Sequence, residues 1–188
     1  SGITVDQSVT ASSAPTEGKN ENLWEPFSDL EDAAWAQLAI QALSARGIIN
    51  GVDDTHFAPN RSVTREEFVK LLIGLLQLEL PSGETPFDDV ERDAWYAPYV
   101  AAAYQNGLVA GVSDTAFGTG DAITREDLAV LIYRAAQTRG IVLKQTQERA
   151  EFTDDAHIAA YAKDAVYALQ QAGIINGMGG GAFAPRET

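Results

Sequence analysis

Two arginines raise the question of chemistry. Arg65 in "TREEF" and Arg125 in "TREDL" each follow a threonine that reads as a helix N-cap. Thr64 with Glu67, and Thr124 with Asp127, have the spacing of a capping box, the second with a shorter acid. Capping accounts for the threonine and the acid but not for the cation between them. A helix N-terminus is already partly positive, so an exposed cation there costs about 0.3–1 kcal/mol. Two explanations fit. One is an ion pair with an acid of a neighbouring segment, such as Asp89, tying parts of the chain together. The other is an anion site, where a guanidinium beside free N–H groups offers a carboxylate bidentate hydrogen bonds and a favourable dipole. Both hold if one arginine is structural and the other free.

Other chemistries find less support. His56 and His157 are far apart and belong to no metal-ligand spacing, and there is no cysteine. Asp53-Asp54 and Asp88-Asp89 extend to no calcium-loop ligand series, so they read as turn and capping residues. "GMGGGAF" lacks the GK[ST] of a phosphate loop. No nucleophile elbow appears, and nothing singles out a pair of carboxylates for glycoside hydrolysis. The expectation is a chain with no catalytic residue, no metal and no cofactor.

The elements that position these residues come from a repeat. Phe27, Phe87 and Phe152 each open a copy, followed two residues later by Asp29, Asp89 and Asp154. Then come Trp35, Trp95 and Tyr161, the glycine pairs Gly47/Gly51, Gly107/Gly111 and Gly173/Gly177, and Phe57, Phe117 and Phe183. Each copy reads as helix, loop, helix. Trp35, Leu38, Ala39, Ala42 and Leu43 form one apolar stripe, and the later copies repeat it from Trp95 and Tyr161. Core packing is therefore the default for these three aromatics, with a sugar-stacking place at a groove edge as the alternative. Gly47, Gly107 and Gly173 sit where a left-handed C-cap ends the helix. Phe68, Leu71, Leu72, Leu75 and Leu76 make the stripe of a second helix, matched by Leu128, Leu131, Ile132, Ala135 and Ala136. No helix pair buries its stripe alone, so the copies pack on one another. The fold class is all-α, with a polar linker or tail at 1–22 and repeats at 23–82, 83–144 and 145–188, the last stopping before its own TRxE.

Formal charge is −14, from 27 acidic and 13 basic residues. That field repels nucleic acid and anionic membranes, and no local Lys/Arg cluster in the sequence offsets it. The longest apolar run, 68–80, is too short and too interrupted to span a bilayer.

The pattern F-x-D…W…G-I-I-N-G…F-A-P…V-T-R-E-E resembles the S-layer homology (SLH) domain, usually found as three tandem copies. The resemblance covers about four-fifths of the chain, with the third copy running from Phe152 to Thr188. It implies a pseudo-threefold assembly whose inter-repeat grooves bind secondary cell-wall polysaccharide, often pyruvylated, holding an exported protein non-covalently on the bacterial surface, cell wall or S-layer. It implies Arg65 and Arg125 as ligand arginines, Thr64, Thr124, Gly51 and Gly111 as groove-shaping residues, and Trp35 and Trp95 beside the grooves. The alternative is an acidic helical interaction module assisting surface-protein assembly. A homodimer by helix exchange is a further expectation, because the first helix of copy three is expected to be left with an exposed stripe.

Overall fold

The computed structural model describes residues 27–81 and 84–188. The polar segment 1–22, read above as a linker or tail, lies outside the described residues. Five α-helices stand among those described: α1 (Gln37–Ala45), α2 (Arg65–Leu76), α3 (Ala97–Gln105), α4 (Arg125–Thr138) and α5 (Lys163–Gln171). The all-α class holds, with one isolated bridge, Thr64 to Ala122, as the extended pairing described.

The first helix of each copy ends as its sequence demands. Gly47, Gly107 and Gly173 take φ of 65°, 69° and 71°, the left-handed region glycine enters without penalty. The next amide then reaches back across the turn: Ile48 to Leu43 at 3.0 Å, Leu108 to Ala103 at 2.8 Å, and Ile174 to Leu169 at 2.9 Å.

The second helix of one copy packs on the first helix of the next, α2 on α3 and α4 on α5. Val69, Leu72, Ile73 and Leu76 of α2 close over Val100, Ala102 and Ala103 of α3. Val166 and Leu169 of α5 are fully buried with Ala129 and Val130 of α4. This corrects the expectation that the first helix of copy three is unpaired. Among the described residues α1 has no such neighbour; it packs on the 3₁₀ segment Glu31–Ala36, and Leu38 is 79% exposed.

A second correction concerns the aromatics. Trp35, Trp95 and Tyr161 are 89%, 52% and 59% exposed, not core. Each sits two residues ahead of its α-helix, at 35, 95 and 161 against starts at 37, 97 and 163. The 3.6-residue period that fixes which side chains share a face does not extend to them.

The Phe-x-Asp opening is a clasp. Asp29 accepts from the amides of Phe57 and Ala58, Asp89 from Phe117, Gly118 and Thr119, and Asp154 from Phe183 and Ala184, all between 2.7 and 2.9 Å. At Asp29 the Phe57 amide is the main cause that holds the carboxyl below its usual range. At Asp89 and Asp154 burial pushes upward, but the backbone donors outweigh it and the net shift is again down. A carboxyl depressed in the folded state contributes stability above its unfolded value, lost as pH falls through the folded value. The melting temperature is thus expected to hold from neutrality to about pH 5 and to fall below about pH 4. Calorimetric scans across that range check it; a flat profile down to about pH 3 would contradict the clasp.

The segments leading into the second helices meet at a common centre. Arg65 N–H donates to Asp121 O at 3.0 Å, Ile123 N–H to Val63 O at 2.9 Å, and Arg125 N–H to Glu187 O at 2.8 Å. The Ser62 and Thr188 hydroxyls stand 3.2 Å apart. Each copy thereby touches both others, which sets the grooves between them.

Candidate functional site

Two inter-repeat grooves stand out among the described residues, and the second draws side chains from all three copies. Arg65 enters from α2, the loop 109–112 and the α4 residues Asp127 and Arg134 from copy two, and Tyr161 and Arg186 from copy three, around about 460 Å³. Arg65 is only 7% exposed. Its Nε donates to Phe117 O at 3.0 Å and its Nη1 to Asp127 Oδ2 at 2.7 Å, with the guanidinium 5.3 Å from the Phe117 ring centre. Nη2 meets no acceptor among the described residues.

Asp127 holds this groove together. Its Oδ1 accepts from the Tyr161 hydroxyl at 2.7 Å, so one carboxylate bridges copies one and three. Burial first, then the Asp127 bond and charge, push the Tyr161 phenol well above its ordinary value, so it stays a donor throughout the working pH range. The sequence names Asp127 as a weak cap. Thr124 Oγ1 accepts from the Asp127 amide at 3.3 Å, but the short side chain does not return the bond. In copy one the longer Glu67 does, and the Thr64 capping box is complete. The partner of Arg65 is therefore Asp127 rather than Asp89, whose oxygens serve the Phe117 loop.

Two more guanidiniums line the groove. Arg134 Nη1 donates to Leu108 O at 3.1 Å, and Arg186 Nη1 stands 3.0 Å from Oε1 of the fully buried Glu126. Oε2 of Glu126 accepts from the Ala159 amide at 2.8 Å. The absence of a local basic cluster in the sequence is thus overridden by the fold, which gathers Arg65, Arg134 and Arg186 from three copies.

Arg125 behaves differently. Its Nε donates to Phe183 O at 2.9 Å and its Nη2 to Asn176 O at 3.2 Å, with the Phe183 ring 5.1 Å away. No carboxylate pairs with it among the described residues. Arg65 is thus ion-paired, while Arg125 meets only backbone carbonyls among the described residues.

The first groove, of about 550 Å³, brings Gly51 and Trp95 together with Arg61, Glu67 and Lys70. Gly111 lies in the second groove with Arg65. Thr64 and Thr124 sit at the helix ends as N-caps, and Trp35 stands on the 3₁₀ segment before α1. Sequence reasoning missed Arg61, Lys70, Arg134 and Arg186 as groove residues. A cation inside an apolar helical pattern, as at Lys70 and Arg134, is the signal that points to them. Asp53 accepts from the Thr55 and His56 amides at 2.8 Å, the turn chemistry expected of it.

The S-layer homology domain profile matches residues 26–69, 86–129 and 151–188. The chain belongs to the S-layer homology domain family. It is 33% identical over 160 residues to an amylopullulanase of Thermoanaerobacterium thermosulfurigenes, covering 85% of this chain and 8% of that protein. It is 30% identical to a surface-layer 125 kDa protein of Lysinibacillus sphaericus over 77% of this chain and 12% of that protein. It is 31% identical to a cellulosome-anchoring protein of Acetivibrio thermocellus over 73% of this chain and 30% of that protein. The chain spans less than a third of each of these relatives. S-layer homology domains are surface-anchoring modules of exported proteins, and this chain carries three of them at the cell surface.

Proposed function

We propose that the chain anchors by binding an acidic secondary cell-wall polysaccharide non-covalently in its inter-repeat grooves, with a pyruvate ketal as the acidic group. The observation that carries this reading is the second groove. In a chain of formal charge −14, it gathers three guanidiniums, of which Arg65 pairs with Asp127 and Arg186 with the buried Glu126, beside a half-exposed tyrosine. The free Nη2 of Arg65 supports a ligand carboxylate at the groove floor, with Arg134 and Arg186 above it and Tyr161 offering a ring face to the sugar. Arg125 is a further anion-binding group because no acid among the described residues pairs with it. Thr64 and Thr124 act through the helix ends they cap, Gly51 and Gly111 through the loop shape, and Trp95 and Trp35 as exposed stacking rings.

The alternative, an acidic interaction module with purely structural arginines, draws on the Arg65–Asp127 pair. Calorimetry with purified pyruvylated wall polysaccharide, beside the same polymer after mild-acid removal of the ketal, separates the two. Binding is expected to fall at least about tenfold, roughly 1.4 kcal/mol, when the ketal is gone. Equal binding of both polymers, or of neither, would overturn the arginine–carboxylate reading.

A further inference from the structure

The stretch that joins copies one and two and the stretch that joins copies two and three carry opposite charge. From Leu71 to Glu91 there is no Lys or Arg, and Glu79 and Glu84 lie in the first linker itself. From Leu128 to Gln147 there is no Asp or Glu, in a chain that has 27 of them, and this stretch holds Arg134, Arg139 and Lys144. Arg134 lines the second groove. Arg139 and Lys144 line neither groove and make no ion pair among the described residues.

Each linker also presents apolar side chains to solvent. Helix α2 ends at Gln77 in the left-handed region, with Leu75 on its last turn 44% exposed and Leu80 beyond it 47% exposed. Helix α4 gives way to Gly140, also left-handed, and Ile141 and Val142 follow at 57% and 83%. The second linker is tied down on both sides of that pair. The Ile141 amide donates to Ala136 O at 2.8 Å, Leu143 packs into the copy-three core, and the Thr146 amide donates to Gln171 O at 2.8 Å. Ile141 and Val142 are thus presented on a fixed turn.

Local chemistry accounts for part of this pattern. The helix dipole favours a cation at the C-terminal end of α4, which explains Arg139. A single exposed apolar residue needs no explanation. Neither argument covers Lys144, the adjacent pair Ile141–Val142, or an acid at Glu79 just beyond the negative end of α2. What the two linkers have in common is complementarity: apolar with acid on the first, apolar with base on the second.

We propose that the second linker of one chain docks on the first linker of a second copy of this chain. Ile141 and Val142 meet Leu75 and Leu80 at the centre, and Arg139 and Lys144 face Glu79 at the rim. The contact is heterologous, so a pair keeps one free linker of each kind and further chains add head to tail. Neither linker lines a groove, so the contact leaves both grooves open and does not depend on glycan binding. It is small, and two chains of formal charge −14 repel each other. A dissociation constant on the order of 100 μM is therefore expected at about 0.15 M salt, where a screening length of about 8 Å confines the repulsion. Chains held side by side on a surface reach effective concentrations above that value.

Sedimentation equilibrium of the whole chain, with no glycan present, tests the contact. The average mass of the wild type should rise with concentration past that of a dimer. Val142→Asp blocks the second linker and Leu80→Asp the first, and each alone should weaken association at least about tenfold. Both side chains are exposed, so the melting temperature should stay at the wild-type value. Mixed in equal amounts, the two variants still offer one intact linker of each kind, so dimers should reappear and nothing larger. A wild type that stays monomeric up to about 1 mM, a single variant that associates like the wild type, or a mixture that stays monomeric would each overturn the contact. A monomer that instead binds anionic lipid vesicles, and loses them on Val142→Asp, would give the second linker to a membrane surface and overturn it as well.

Discussion

Replacing Arg65 with alanine is expected to destabilise the chain by about 2–4 kcal/mol, more than the same change at Arg125. The substitution removes a buried guanidinium from Phe117 O and from Asp127, and it uncovers one face of a fully buried ring. Asp127 is then left in a part-buried groove with Tyr161 as its remaining donor. At roughly 2–4 °C per kcal/mol for a domain of this size, the melting temperature should drop on the order of 10 °C. Arg125→Ala removes one part-buried and one exposed bond to backbone carbonyls and a contact with the buried Phe183 ring, but no ion pair with a described acid, so about 1–2 kcal/mol is expected. Thermal scans of the two variants side by side check this. Equal losses would mean that the Asp127 pair contributes nothing beyond ordinary hydrogen bonds.

That asymmetry shows which features were legible in the sequence. The repeats, the capping threonines and the glycine helix stops are local, because their partners lie within a few residues and spacing alone exposes them. The Thr64–Glu67 box and the left-handed Gly47, Gly107 and Gly173 were readable for that reason. The second groove was not, because Arg65, Arg134 and Arg186 come from three copies and meet only when the copies assemble. The aromatics misled because the helical period was extended two residues beyond the helix, to Trp35, Trp95 and Tyr161. One clue to the groove was present. Asp127 stands where copy one has Glu67, and an acid too short to complete its own capping box is free to bind elsewhere. Which helices pair among the described residues, α2 with α3 and α4 with α5, was equally hidden, since it depends on packing between copies.

Gly111→Ala is the second change with a large expected effect, and it separates the loop's structural role from its place in the groove. A methyl group at Gly111 would sit 2.5 Å from a Phe87 ring carbon and 2.6 Å from Ala116 O, and the residue holds φ of 79°. The left-handed backbone alone costs a non-glycine residue about 1–2 kcal/mol. The contacts add overpacking of about 1–3 kcal/mol, since a backbone carbonyl cannot turn aside as a flexible side chain does. Gly120 has a similar φ of 84° but nothing within 4 Å of the added methyl, so Gly120→Ala carries the backbone cost alone. A loss of roughly 2–5 kcal/mol at Gly111 against about 1–2 kcal/mol at Gly120 is therefore expected from denaturant unfolding. If Gly111 were there only to let a ligand approach, the two variants would be equally stable and only glycan affinity would differ. The geometry favours the other order: the loop must first pack on Phe87, and the groove that Gly111 lines exists because it does.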